Sequence, residues 1–391
     1  MKTYTSNQAP NTNNFSYDAS GRARVSEITT LFDGKTIGAD DTQLWGISGT
    51  GTNTFSNNTN VMSVTANQFL IRSSNFYLPY FSGKAQTVEM TFQNFQIQTD
   101  VIKRIGYFTS NAVSPFNLEK DGFWLESNGT TNKITLEIAN FGTSILSTEL
   151  TEFEGYELTK NYDWSKFTVV SFDYIWLGGA NFRFFINING EFILSKKLVY
   201  AGAFSGTIFR SPNLTPRYEI RSSGGVGTIT AICSQVASEG SFDEGGKCIG
   251  IYNTTAIACN NLATIYALKS WKLNPTFRDT VVEMIDVGII RQSTADTGIL
   301  LLIKNPTVSA PINYVNNSRI QEGTPTNQTC TGGRVLHAVQ VSEAGASHSL
   351  AESFLSYGSI NISNVADEFV LAFLPATANQ SLHGCINLKE Y

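Results

Sequence analysis

Charge is what this 391-residue chain has least of. Asp, Glu, Lys and Arg together make up 15% of it, and the formal net charge is −5. An average soluble domain carries about a quarter charged residues. The chain therefore lacks the basic field that a nucleic-acid or anionic-membrane partner requires, and neither partner is expected. Histidine is nearly missing: His337, His348 and His383 are the only three. With Cys330 and Cys385, His337 and His383 would supply four ligand atoms, but no tight pair of the structural-zinc type is present, so no metal and no cofactor is expected. The five cysteines (Cys233, Cys248, Cys259, Cys330, Cys385) are odd in number and contain no CxxC. That spacing excludes a disulfide framework and predicts reduced, mostly buried thiols. Phosphate-cradling glycine motifs and the GxSxG elbow are absent, and Ser347-His348 has no such context. There is no apolar run of membrane-spanning length, and the opening MKTYTSNQAP lacks the apolar segment of a Sec-type signal. Without a heptad run or fixed-period repeat, no coiled-coil shaft is encoded.

Asn, Thr, Ser and Gly fill the space that charge leaves, with 26 Phe and 15 Tyr among the 41% hydrophobic residues. Uncharged turn-formers alternating with β-favouring aromatics predict an all-β protein with real cores. In Gln86–Gln98, Val88, Met90 and Phe92 alternate with polar neighbours at period two. Phe123–Glu126 and Lys133–Ile138 flank Asn128-Gly129-Thr130, and Phe182–Ile188 and Phe192–Leu198 flank Asn189-Gly190, both hairpin signals. Phe167–Trp176 is apolar on nearly both faces, as a central strand should be, with Trp176 read as core. Bulky alternating strands joined by tight turns predict antiparallel sheets packed face to face, a jelly-roll-like sandwich. From 241 onward strand-like runs continue between long Asn/Thr/Pro loops, with short helices an alternative at Ala263–Leu268 and Leu350–Leu355. The predicted organisation is an extended N-terminal arm and anchoring motif over 1–45, a β-sandwich over 46–240, and a second β-sandwich over 241–391.

The arm itself, residues 1–17, is too polar to fold alone. Behind it comes DASGRARVSEITTLFD, residues 18–33. Arg22 and Arg24 alternate with Ala23 and Val25, so an extended backbone would send both guanidiniums to one side. Spacing alone favours an ordinary edge strand, and the alternative is a tether between chains.

Three segments carry a resemblance. Asp18–Ser26 with Thr30–Asp33, Pro216–Ile220 (PRYEI) and Ile232–Gly240 (ICSQVASEG) resemble, in order, a family of tailed-bacteriophage virion structural proteins. These include head-fibre, capsid-decorating and tail-associated components, as in crAss-like phages. The likeness covers about the first 240 residues, and Ser241 stands where the family often has a further glycine. The resemblance implies a virion location, assembly in the host cytoplasm with release by lysis, no enzymatic activity, a homotrimer, and partners such as the major capsid protein. It also implies a role for Phe15, Tyr17, Arg22, Arg24, Leu31 and Phe32 as assembly anchors to neighbouring subunits. On that view, removing residues 1–33 would leave the body folded. The order GYF, FWLES, LEI, long central strand and NG hairpin is also similar to concanavalin-like lectin sandwiches, by analogy of fold.

Such a sandwich invites a search for paired carboxylates about 5–10 Å apart. Glu126, Glu137 and Asp173 each stand alone among apolar neighbours, while Glu149, Glu152, Glu154 and Glu157 fall in a solvated connection. Asp40-Asp41 and Asp243-Glu244 read as solvated charge, short of the six to eight oxygens calcium needs. No enzyme is expected. Glycan recognition needs only aromatic faces and polar loop groups, and Trp164, in Tyr162-Asp163-Trp164, is the candidate exposed aromatic. The expected function is thus that of a virion structural subunit acting through protein–protein assembly, the alternative being a tail-associated adhesion protein that recognises host surface glycans.

Overall fold

The computed structural model describes residues 17–19, 21–24, 27–110, 120–176, 181–200, 202–203, 206–240, 246–291, 297–341, 345–350, 357–362 and 364–391. Phe15 and the rest of the arm before Tyr17 lie outside the described residues, as do Asp243, Glu244 and most of the helix alternative at 350–355. The chain divides into two compact units, Met1–Asp243 and Glu244–Tyr391.

The first unit is built from β1 (Ile28–Asp33), β2 (Trp45–Gly49), β3 (Thr52–Ser56), β4 (Thr59–Val64), β5 (Phe69–Ser74), β6 (Gln86–Gln93), β7 (Val101–Thr109), β8 (Asp121–Asn128), β9 (Lys133–Asn140), β10 (Thr143–Glu149), β11 (Thr168–Tyr174), β12 (Asn181–Ile188), β13 (Glu191–Val199), β14 (Pro216–Ser222) and β15 (Gly227–Glu239). They form two antiparallel sheets, an eight-stranded one in the order β13-β12-β11-β6-β15-β4-β3 with β1 added to β15, and a seven-stranded one in the order β10-β9-β8-β7-β14-β5-β2. The Gly-, Asn- and Thr-rich stretch 33–60 supplies β2, β3 and the start of β4, with Trp45 of β2 buried and Met62 and Val64 of β4 following it inward.

Period-two burial places the core. Val88, Met90 and Phe92 of β6 are buried while their neighbours are not, as the alternation predicts. Phe123 of β8 lies 5.1, 5.1 and 5.0 Å from Phe172, Tyr174 and Phe182 of the opposite sheet, so the aromatics join the two layers. Tyr218 of β14 crosses the same interior, and its hydroxyl reaches the Thr91 and Cys233 carbonyls at 3.1 and 3.0 Å. Trp176 is only half-buried, its indole donating to the Phe209 carbonyl at 2.9 Å.

The hairpins fall where their dipeptides place them. Asn189 and Gly190 have φ of 54° and 89°, the left-handed pair a type I′ turn needs. Gly129 serves a different purpose, because a Cβ there would sit 1.7 Å from the Gln98 carbonyl oxygen. That backbone cannot retreat without opening the turn. Gly129→Ala should lower the stability of the first unit by about 2–3 kcal/mol, as overpacking does; a urea titration that leaves the midpoint unmoved would contradict it.

The second unit comprises β16 (Lys247–Tyr252), β17 (Ile257–Cys259), β18 (Ile265–Leu273), β19 (Val282–Arg291), β20 (Gly298–Lys304), β21 (Thr307–Val308), β22 (Tyr314–Asn317), β23 (Ile320–Gly323), β24 (Thr329–Thr331), β25 (Arg334–Val341), β26 (Gly345–Ser349), β27 (Phe369–Pro375) and β28 (Gln380–Glu390). One five-stranded sheet runs β16-β28-β19-β26 with β17 beside β28; an eight-stranded one runs β21-β24-β18-β27-β20-β25, with β22 and β23 attached to β18. The helix alternative at Ala263–Leu268 is largely strand instead: Ile265 begins β18 opposite Cys330 of β24, and Tyr266 and Trp271 pair with Phe373 and Phe369 of β27. The two sheets come close at Gly384, where a Cβ would lie 2.9 Å from Leu268 and 3.2 Å from Leu371. All five cysteines are free thiols.

Candidate functional site

The anchoring motif folds onto its own chain. Asp18 N donates to the Arg22 carbonyl at 2.8 Å, Gly21 has φ of 81°, and Tyr17 bridges Ala23, so residues 17–23 form a tight turn. The turn precedes Arg22, and Ala23, between the two arginines, makes the antiparallel bridge to Tyr17. Arg22 stays 57% exposed, held by Asp18 at 2.5 Å. Arg24 is buried, with Asp173 Oδ1 and Glu239 Oε1 each 2.8 Å from its guanidinium and Thr87 Oγ1 at 3.2 Å. Arg183 also pairs with Asp173 and donates to the Tyr17 carbonyl at 2.6 Å. This four-charge cluster lies on the outer face of the eight-stranded sheet, since Asp173 and Arg183 sit opposite each other and alternate with core residues Phe172 and Phe184.

Leu31 and Phe32 are likewise internal. A bulge between Thr30 and Phe32 turns two consecutive side chains inward, and Phe32 meets Trp45 edge-on at 5.3 Å. Arg24, Leu31 and Phe32 are therefore occupied within their own unit rather than held out to a neighbour, which corrects the anchoring expectation for these three. Tyr17 is half exposed.

A second charge cluster occupies the outer face of the seven-stranded sheet. Arg104 of β7 reaches Glu126 of β8 at 2.7 Å and Glu219 of β14 at 3.1 Å, and Arg217 holds Glu219 at 2.7 Å. Cross-strand register explains the convergence, because Arg104 stands opposite both Glu126 and Glu219. Burial opposes ionisation of Glu126 and Glu219, but the charge of Arg104, and of Arg217 at Glu219, outweighs it and holds both carboxyls below their usual range. Glu137 behaves oppositely: burial pushes it up, with Ser147 Oγ donating at 2.8 Å. Asp173 is also pushed up by burial, against the pull of Arg183 and Arg24.

All three segments behind the family resemblance thus end in buried ion pairs or core: Arg24 from the first, Arg217, Tyr218 and Glu219 from the second, Glu239 from the third. Glu126 and Asp173 stand on different sheets, each neutralised by arginine, and so do not face one another across a cleft. Asp40 pairs with Arg72 at 2.7 Å, and Asp41 accepts from the Gln43 and Leu44 amides at 3.0 and 3.2 Å. Among the described residues no group of three or more His, Cys, Asp or Glu could hold a metal. Trp164 is 7% exposed and packs on Phe95 at 5.9 Å, which removes it as an exposed platform. Its backbone explains why, since its carbonyl accepts from Phe95 N at 2.8 Å and draws the ring onto the sandwich.

The open chemistry lies in the second unit, at residues of which the sequence singles out only His383 and Cys385. On β28, Leu382, Ile386 and Leu388 face the core, so His383, Cys385 and Asn387 face outward. Register sets Tyr252 of β16 beside Cys385, and Ile290 and Asp286 of β19 beside His383 and Asn387. Gly250 has no side chain, and the result is a depression of about 540 Å³ lined by Gly250, Tyr252, Ile290, His383, Cys385 and Asn387 among others. Tyr252 and Ile290 are 63% and 65% exposed. His383 Nδ1 meets the Asn253 carbonyl at 3.0 Å, and Asn387 Nδ2 donates to Asp286 Oδ1 at 2.8 Å. Cys385 is raised by burial and then by the Asp286 charge, so its thiol stays protonated and unreactive. The signal that could have found this site is the alternation of β28, read together with an exposed tyrosine on its neighbour.

No family model matches the chain, and no curated protein matches it. Solved structures similar to it include arcelin-5, a lectin-like defence protein from Phaseolus vulgaris, at 11% identity and a TM-score of 0.37, covering 55% of this chain and 99% of that one. The Emp47p carbohydrate recognition domain is 11% identical with a TM-score of 0.36, covering 55% and 98%. A lectin from Bauhinia forficata in complex with GalNAc is 9% identical with a TM-score of 0.35, covering 56% and 100%. At these scores the likeness assigns no ligand and no family to the chain.

Proposed function

We propose that this protein is a non-enzymatic recognition subunit that binds surface glycans through the open sheet face of its second unit. The observation carrying this reading is Tyr252, a largely exposed ring beside outward-facing hydrogen-bonding side chains in a shallow depression. A sugar presents a C–H face and a rim of hydroxyls, and an aromatic plane flanked by polar groups matches both. Catalysis is a poorer fit, because Glu126, Glu219 and Asp173 are each engaged by arginine and lie on the other unit.

The segments similar to bacteriophage virion structural proteins support placing this recognition on a particle, as a head-fibre or tail-associated subunit. Their buried pairs would then serve as rigid internal fastenings of the body, leaving Tyr17 and the residues before it for contact with other virion proteins. Tyr252→Ala should abolish binding on a glycan array while leaving the melting temperature within about 1 °C, since an exposed side chain contributes little to folding. Undiminished binding by that variant would sink the reading.

A further inference from the structure

Resting on that glycan-recognition reading, we infer that the depression selects neutral, hydroxyl-rich sugars and rejects acidic ones, because it and the adjoining Asp286 offer acceptor atoms to hydroxyls while no lysine or arginine is among its described lining residues. The inventory is explicit. The Asn253 carbonyl can only accept, so the hydrogen in its contact with His383 resides on Nδ1, and the Nδ1–H tautomer has Nε2 as an acceptor. Asn387 gives one Nδ2 hydrogen to Asp286 Oδ1, which leaves its second N–H as a donor and the Asn387 carbonyl oxygen and Asp286 Oδ2 as further acceptors. Neither Asp286 Oδ2 nor Asn387 Oδ1 has a partner among the described residues.

Charge points the same way. No lysine or arginine is found among the described lining residues, so a carboxylate, sulfate or phosphate on the ligand would find no cation within the depression, Lys389 lying further along the outer face of β28. It would lie near the Asp286 carboxylate instead, which adjoins the lining through its contact with Asn387. A neutral sugar with vicinal hydroxyls reverses both terms, because each hydroxyl donates to an acceptor while Tyr252 covers the ring face. The acceptor row also explains how specificity would arise on so open a surface. A sugar lacking a hydroxyl opposite Asp286 would leave a charged acceptor without its donor.

The test uses the full chain and two panels: neutral polysaccharides (mannan, galactomannan, dextran) and acidic ones (polygalacturonate, heparin, polysialic acid). Binding to at least one neutral polymer is expected, with an affinity that changes less than about twofold between 50 and 500 mM NaCl, since no ion pair is screened. Asp286→Asn should weaken it about tenfold or more, and Asn387→Ala offers the same readout if the first variant does not fold. Preferential, salt-sensitive binding of an acidic polymer that is lost in Tyr252→Ala would overturn this inference and leave the glycan reading standing. Neutral binding untouched by both acceptor variants would overturn it too. Binding to neither panel would overturn the inference and the reading together.

Discussion

Replacing Arg24 with alanine should destabilise the first unit by about 3–5 kcal/mol, the range for removing one partner of a buried ion pair. Asp173 is fully buried and would keep only Arg183, and Glu239 would lose its 2.8 Å contact. For a unit of this size the loss corresponds to about 10 °C in melting temperature. The pH dependence has a definite sign. Asp173 already has a folded-state pKa above its unfolded value, so the folded state takes up its proton first and gains stability as pH falls. Without Arg24 that uptake begins at higher pH, so the penalty should be largest near pH 8 and shrink toward pH 5. Arg22→Ala, two residues away, removes a pair whose arginine is largely exposed but whose Asp18 is buried, and should cost about 1–2 kcal/mol, less than Arg24→Ala. Equal effects of the two substitutions, read by thermal unfolding, would show that the cluster does not hold the motif down.

This contrast also revises the expectation about the leader. Deleting residues 1–33 removes β1, Arg24 and the core side chains Leu31 and Phe32, so the truncated body should unfold rather than persist as an intact domain. A cut that spares residues from 17 onward is the one that tests attachment to other proteins.

Much of the fold is legible in the sequence because its code is local. Alternation in β6, and the dipeptides Asn128-Gly129 and Asn189-Gly190, each act within a few residues, and the structure follows them. The anchoring motif misleads for the opposite reason. Whether Arg24 points to solvent or into the molecule depends on Asp173 and Glu239, about 150 and 215 residues away. Trp164 misleads similarly: its neighbours Tyr162 and Asp163 look like a loop, but hydrogen bonds from Phe95 and Gln96 to its carbonyl fix it against the core. The depression is not legible because β16, β19 and β28 contribute to it from positions about 135 residues apart, and only their register brings Tyr252, Asp286 and Asn387 together.

Arg104→Ala should be as damaging as Arg24→Ala but with a different acid response. Arg104 neutralises two carboxylates at once, and removing it leaves Glu126 without a cation in hydrogen-bond contact and Glu219 with Arg217 alone. A loss of about 3–5 kcal/mol at pH 7 is expected. In the wild type both carboxyls have folded-state pKa values below their unfolded ones. Their contribution is therefore complete above the unfolded value of about 4.5 and disappears as pH falls through the folded values. The wild type should lose stability steeply below about pH 4.5, and the variant, having little of that contribution left, should lose it more gently. Glu126→Gln keeps the shape, retains an acceptor for Arg104 and removes one charge, so it should weaken the acid limb while costing less at pH 7 than the arginine variant. Denaturant titrations of the three proteins from pH 3 to 8 decide it, and parallel acid limbs would mean that Arg104 does not hold these carboxylates ionised. Such a result would also remove the argument against catalysis on this face, because Glu126 and the raised Glu137, diagonal to each other on β8 and β9, would then be free to differ in protonation.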